Sequence, residues 1–268
     1  FGYETSNVKN LLFQKSKSQI NLEDIQNLFL SDIEILNDAD NNNVFKKLKN
    51  LKNNKHVIVD AENYAQLKKF SLVIKKLTKQ RKFLFRTAAS FISSISEKKS
   101  VSQDDIFFSN LRIRSKEKNF LPGLIIVGSY VELSTIQLKN LLEISNCSPI
   151  ELDVFEFFKI NSSDNNQERR NYFKNKFLRE IRFSFDQGKT PVLFTSRQIL
   201  SLDYSEQFNF YNSLALFIAE LVADLKYEIG YLISKGGITT NVILSNGLNA
   251  DYVYLEGQIL TGISVVTY

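Results

Sequence analysis

The chain has 268 residues, 43% hydrophobic and 24% charged, the balance of an ordinary folded protein with room for one large core or two modest ones. Lys and Arg total 34 against 29 Asp and Glu, and a net +5 spread along the whole length is too small an excess to indicate nucleic acid. No apolar run reaches the roughly 20 residues of a membrane span. Residues 1–10 are polar, and the single cysteine, Cys147, excludes an internal disulfide.

These features predict a cytoplasmic protein with no membrane and no nucleic-acid partner. The chain opens at Phe1 and contains no Met, where several are usual at this size, so it is expected to be an incomplete copy of its protein.

After an irregular opening and an Asn-rich loop over 37–43, residues 44–51 predict a short Lys-rich helix and 56–60 a buried β-branched strand. Leu67, Phe70, Ile74 and Leu77 recur three or four apart and predict a helix with its lysines on the other side. Residues 83–85 read as a strand and 87–95 as a helix. The polar stretch 97–119 has no sustained period and marks a domain boundary.

Beyond it the alternation resumes, with strands at 123–128, 150–154, 191–195 and 230–234 and helices at 134–144, 168–186 and 206–225. The last helix is expected to bury Phe208, Tyr211, Leu214, Phe217, Ile218, Leu221 and Leu225. Two further strands are expected at 252–255 and 264–266. The pattern predicts an α/β protein of two domains, each a mainly parallel sheet flanked by helices.

Sheets of this kind bind ligands at the carboxyl ends of their strands. One such end carries Gly128 and Ser129, suited either to close ligand approach or to a tight turn with a helix cap. A second carries Lys235, Gly236, Gly237, Ile238 and Thr239, where paired glycines permit a concave row of N–H groups for a phosphate chain or simply a turn. Lys precedes the glycines, so this is not a Walker loop. A third carries Thr195, Ser196 and Arg197, whose guanidinium fits a phosphate, a carboxylate or a structural ion pair. Arg86 and Thr87 make a similar offer in the first half.

His56, the only histidine, abuts a strand start and supports no triad, and Cys147 has no partner for a metal site. The basic run over 75–82 follows helical spacing and reads as a solvated face.

Eight segments, in order, carry a resemblance over nearly the whole chain: Phe1-Gly-Tyr-Glu-Thr-Ser-Asn7, Leu30-Ser-Asp-Ile33, Phe85-Arg-Thr-Ala-Ala-Ser-Phe91, residues 123–130 with Gln137-Leu138, Glu151-Leu-Asp153, Thr195-Ser-Arg197, Lys235-Gly-Gly-Ile-Thr239 and Gly257-Gln-Ile259. Together they resemble the four-carbon acid sugar kinase family.

The resemblance implies a sugar-acid-binding domain, of which residues 1–115 are part, and a nucleotide-binding domain at 116–268 lacking its C-terminal end. It implies ATP with Mg²⁺ as phosphoryl donor to a threonate, erythronate or oxo-tetronate type of acid. Ser129, Gly236, Gly237, Ile238 and Thr239 then fall where the family contacts ATP, and Arg86, Thr87 and Arg197 where the acid is expected. A homodimer is left open.

Two departures stand out. The family's opening paired aspartates and its acid-gripping basic residues have no counterpart, and its Gly-Asn-x-Gly-like loop would follow residues 264–266, where the chain stops. No catalytic base and no metal ligand can be named. The alternative reading is a non-catalytic relative that holds a nucleotide or an acidic metabolite.

Overall fold

The structure, a computed structural model, describes residues 5–17, 19–29, 43–52, 55–96, 105–162, 166–198, 200–260 and 262–268. The Asn-rich loop expected before Asn43 and the segment 30–33 lie outside the described residues. The chain divides into two compact units, residues 1–101 and 102–268.

The first unit contains α1 (Val8–Lys15), β1 (Ile25–Leu28), α2 (Asn43–Lys49), β2 (His56–Val59), α3 (Tyr64–Thr78) and α4 (Ala89–Ser96). β1 and β2 pair in parallel, with Ile25 opposite His56 and Leu28 opposite Val59. Asn63 starts α3 by accepting a hydrogen bond from the Gln66 N–H at 3.0 Å. The expected stripe of α3 then buries Phe70, Val73, Ile74 and Leu77 against Leu28, Val44, Leu48 and Phe91. The Arg81 guanidinium donates to the carbonyls of Leu48, Lys49 and Leu51, each at 2.7 Å, satisfying acceptors that the end of α2 leaves open.

The strand expected at 83–85 does not form. That stretch pairs with no strand among the described residues, and Leu84 is fully exposed. Phe85 instead packs on Phe91 of α4, ring centroids 5.4 Å apart. An apolar run becomes a strand only where a ladder partner lies beside it.

The second unit runs α5 (Asp105–Leu111), β3 (Gly123–Val127), α6 (Glu132–Leu142), β4 (Cys147–Leu152), α7 (Val154–Asn161), α8 (Asn166–Asp186), β5 (Thr190–Thr195), α9 (Tyr204–Leu225), β6 (Tyr231–Lys235), α10 (Gly237–Val242) with a π turn at Ile243–Gly247, and finally β7 (Tyr254–Leu260) and β8 (Ile263–Thr267). The division at 101/102 falls inside the polar stretch 97–119 expected to mark it, and residue 116, the expected start of the second domain, lies inside this unit. The segment before β3 packs here because the Ile113 N–H donates to the Gly230 carbonyl at 3.1 Å and Arg112 lies over the Tyr231 ring.

Four strands form one parallel sheet in the order β4-β5-β3-β6. All five residues of β3 are buried, and alternation divides them between two cores. Leu124 and Ile126 join the large core built by α7, α8, α9 and α10, while Ile125 and Val127 meet Leu138 of α6 on the opposite face.

The large core centres on aromatic rings, with Phe157 and Phe217 at 5.1 Å and Phe173 and Phe177 at 4.9 Å. α9 has the length and composition of a membrane span, yet Leu214, Phe217, Ile218, Leu221 and Leu225 are spent in this core. Phe208, expected inside, is 66% exposed, and Phe210 is buried in its place. The buried stripe runs 210, 214, 217, 221, 225, and position 208 lies about 200° around the helix from 210. Arg170–Glu220 and Lys174–Asp224 bridge α8 to α9 along the outside, and Arg182–Glu228 ties α8 to the turn just past the end of α9.

Two other differences have local causes. The strand expected at 150–154 ends at Leu152, because Asp153 caps α7 by accepting from the Phe155 N–H at 2.8 Å and the Glu156 N–H at 3.0 Å. The last two strands form an antiparallel ribbon apart from the parallel sheet. Only residues 261 and 262 join them, and so short a link cannot carry a parallel crossover.

Candidate functional site

Strand order determines where the second unit opens. β3 sends its helix α6 to one face and leads to β4 at the far edge, while its neighbours β5 and β6 send α9 and α10 to the other face. The chain therefore parts at the carboxyl end of β3, a topological switch point of the kind where open parallel sheets take ligands. Gly128 and Ser129 occupy that end.

β6 delivers the glycine pair to the same place. The Gly128 N–H donates to the Lys235 carbonyl at 3.0 Å. Gly236 has φ +121°, and a Cβ on it would lie 3.3 Å from the Ser129 nitrogen. A Cβ on Gly128 would lie 2.2 Å from Thr239 Oγ1. Gly236 thus lies against both Ser129 and Thr239, Thr239 lies against Gly128, and glycine at 128 and 236 lets the two backbones approach. Gly237 differs, because a Cβ there meets nothing within 4 Å.

The first turn of α10 leaves the N–H groups of Gly237, Ile238 and Thr239 without intrahelical acceptors. Ile238 itself is 61% exposed. Ser234 and Thr240 join their hydroxyls at 2.9 Å and tie this turn to β6.

Ser129 does not cap α6, whose N-cap is Val131. Its hydroxyl instead accepts from the buried Ser134 hydroxyl at 3.1 Å, a partner that sequence reading assigned only to the helix opening. Tyr130 continues the turn and stacks on Tyr211 of α9, centroids 5.7 Å apart and planes 20° from parallel. Burial, helped by the Tyr130 hydroxyl, raises the Tyr211 phenol above its ordinary range.

Arg197, just past β5, reaches across to the same turn, and its Nη1 donates to the Ser129 carbonyl. Its Nε and Nη2 are buried and have no hydrogen-bond partner among the described residues. Burial pushes the guanidinium pKa down, and the charge of Glu151 offsets part of that. A cation held this way lacks the acceptor that buried donors require, so the arrangement fits an anion. The neighbours of Arg197 are structural. Ser196 Oγ accepts from the Val154 N–H at 3.0 Å, and Thr195 is buried.

The remaining candidates lie elsewhere. Arg86 and Thr87 are exposed on the segment before α4. Cys147 opens β4, and burial raises its thiol above the ordinary value. Among the described residues no three His, Cys, Asp or Glu side chains are gathered to hold a metal ion.

Two family models match the chain. One, described as a nucleotide-binding C-terminal domain, covers residues 124–268, and the other, described as a sugar-binding N-terminal domain, covers residues 1–95. No curated protein matches it.

Proposed function

The chain belongs to the four-carbon acid sugar kinase family, and on that premise we propose that it is a cytoplasmic ATP-dependent kinase that phosphorylates a four-carbon sugar acid of the threonate, erythronate or oxo-tetronate type. The second unit takes the nucleotide and the first takes the acid.

The observation that carries this reading is Arg197, whose buried Nε and Nη2 lack acceptors among the described residues, at a switch point where the Gly236 and Ser129 backbones approach closely. The polyphosphate of ATP supplies those acceptors. Arg197 binds it through Nε and Nη2, the N–H groups of Gly237, Ile238 and Thr239 add donors from the first turn of α10, and the hydroxyl of Ser129 lines the same side.

The residues fit a nucleotide that brings its Mg²⁺ on its own phosphates, since such ions keep waters and need only one or two protein carboxylates. Bound ATP–Mg²⁺ supplies the γ-phosphoryl group and neutralises charge that develops on it. The protein's share is to hold the phosphates in place, exclude water and fix the turn through the Ser129–Ser134 hydrogen bond.

A second reading, a relative that binds without turnover, has one observation behind it. Asp153, which directly follows β4, is engaged through Oδ1 as the cap of α7, a structural task.

Gly237→Val tests the site with little structural side effect, because the added atoms enter open space in the protein alone. Calorimetric titration is expected to show ATP affinity reduced about thirtyfold, near 2 kcal/mol, with fold and thermal stability retained. An unchanged ATP affinity in the folded variant removes the phosphates from this loop. Acid-dependent ADP formation by the wild-type protein separates the kinase from the relative that only binds.

A further inference from the structure

A groove lies between α7 and α8 of the second unit. It encloses about 570 Å³ and is lined chiefly by Glu156 of α7 and by Glu168, Arg169, Tyr172, Phe173 and Lys176 of α8. The two helices meet inside the large core, where the rings of Phe157 and Phe173 stand with centroids 6.4 Å apart. Phe173 is 2% exposed and gives the groove an apolar floor, while Tyr172, 70% exposed, stands at the rim. None of these residues belongs to the turn built by Ser129, Arg197 and α10.

The cations of α8 divide by the neighbour they face. Arg170 and Lys174 pair with Glu220 and Asp224 of α9. On the groove side, Arg169 and Lys176 form no ion pair with Glu156, Glu168 or any other described residue. Lys176 stands instead near the rings of Phe173 and Phe177, its Nζ 5.9 and 5.7 Å from their centroids. Two cations and two carboxylates leave the lining neutral as a whole while it presents both signs. A polyanion would face Glu156 and Glu168, and a polycation would face Arg169 and Lys176, so both are disfavoured. A zwitterion satisfies both signs, and a ring on it gains from the Phe173 floor and the Tyr172 ring. The volume falls within the roughly 300–1,000 Å³ of small-molecule sites.

We propose that the groove between α7 and α8 binds an aromatic α-amino acid. Arg169 and Lys176 hold its carboxylate, Glu156 and Glu168 accept hydrogen bonds from its ammonium group, and its ring lies against Phe173 and Tyr172. The site stands apart from the nucleotide reading, since it shares no residue with it and needs no phosphate. Specificity follows from the lining: the charged groups reject uncharged aromatic compounds, and the apolar floor rejects amino acids without a side chain.

The test titrates the full chain calorimetrically with L-phenylalanine, L-tyrosine and L-tryptophan. Two controls accompany them: glycine, which has both charges and no ring, and N-acetyl-L-phenylalanine amide, which has the ring and neither charge. At least one aromatic amino acid is expected to bind, and each control about tenfold more weakly or worse. Arg169→Ala and Glu156→Gln should each weaken that amino acid by about tenfold, the loss of one charged hydrogen bond. Both side chains are exposed, so circular dichroism and thermal melting should match the wild type. Failure of all three amino acids to bind the wild type overturns the proposal. So does wild-type affinity in both folded variants, and so does an uncharged amide that binds as well as L-phenylalanine, which would reveal an unselective apolar surface.

Discussion

Replacing Arg197 by Met keeps the stem and removes the charge, and the structure assigns opposite signs to its effects on folding and on binding. In the free protein the change removes one charged hydrogen bond, Nη1 to the Ser129 carbonyl, at a cost of about 1.5–3 kcal/mol. It also removes two buried nitrogens, Nε and Nη2, that have no partner among the described residues, each unfavourable by about 1–3 kcal/mol. The sum ranges from a loss of about 1 kcal/mol to a gain of about 4 kcal/mol, and at about 2–4 °C per kcal/mol the melting temperature falls by at most a few degrees or rises.

ATP binding moves the other way. Truncating one member of a desolvated charge pair costs about 2–5 kcal/mol, a loss of roughly thirtyfold to several thousandfold in Kd. The assay is thermal unfolding with and without saturating ATP, followed by calorimetry. Wild type should gain about 2.7 kcal/mol at a hundred times Kd, and Arg197→Met little or nothing at the same concentration. An ATP affinity within about threefold of wild type would refute the reasoning. So would a variant several kcal/mol less stable without ligand, because Arg197 would then be a structural tie.

Gly128→Ala drives a methyl into Thr239 Oγ1 and should destabilise the protein by about 1–3 kcal/mol in a denaturant melt; adding Thr239→Ala should recover part of the loss, and a single variant as stable as wild type would disprove the contact. Asp153→Ala removes the cap of α7 and should cost about 1 kcal/mol while leaving the ATP Kd as it was, so that a marked loss of ATP binding would place Asp153 in the nucleotide site instead.

The sequence showed the second unit well because its strands are nearly continuous apolar runs and its helices carry long stripes. β3, β5 and α9 follow from residues 123–127, 190–195 and 204–225 with little help from context. β1 was invisible, since Ile25-Gln-Asn-Leu28 has neither alternation nor an apolar run and is a strand only because β2 lies beside it. α7 was lost because Asp153 ends one element and starts another, so a β-branched Val154 looked like strand.

At the site, the strand-end rule led to Ser129, Gly236 and Thr239, and the fold brings them together. It could not show that Ser134 would reach Ser129, that Tyr130 would stack on Tyr211, or that Arg197 would be left short of partners among the described residues. Each of those depends on pairing between residues far apart in the chain.

The bridges between α8 and α9 have a consequence for how the two helices recognise each other. In these three bridges the cations, Arg170, Lys174 and Arg182, stand on α8, while the anions Glu220 and Asp224 stand on α9 and Glu228 lies just past its end. Both sets ascend together, as expected for two helices that each return toward the start of a parallel strand. Sliding one helix by a turn, about 5.4 Å, would exchange partners without bringing like charges together. The exposed rungs, worth about 0–1 kcal/mol each, therefore select the neighbour and leave its axial position undetermined. That position is set inside, where Phe173 and Phe177 lock around Phe217 at 5.6 and 6.3 Å. Charge chooses the partner, and the rings set the alignment.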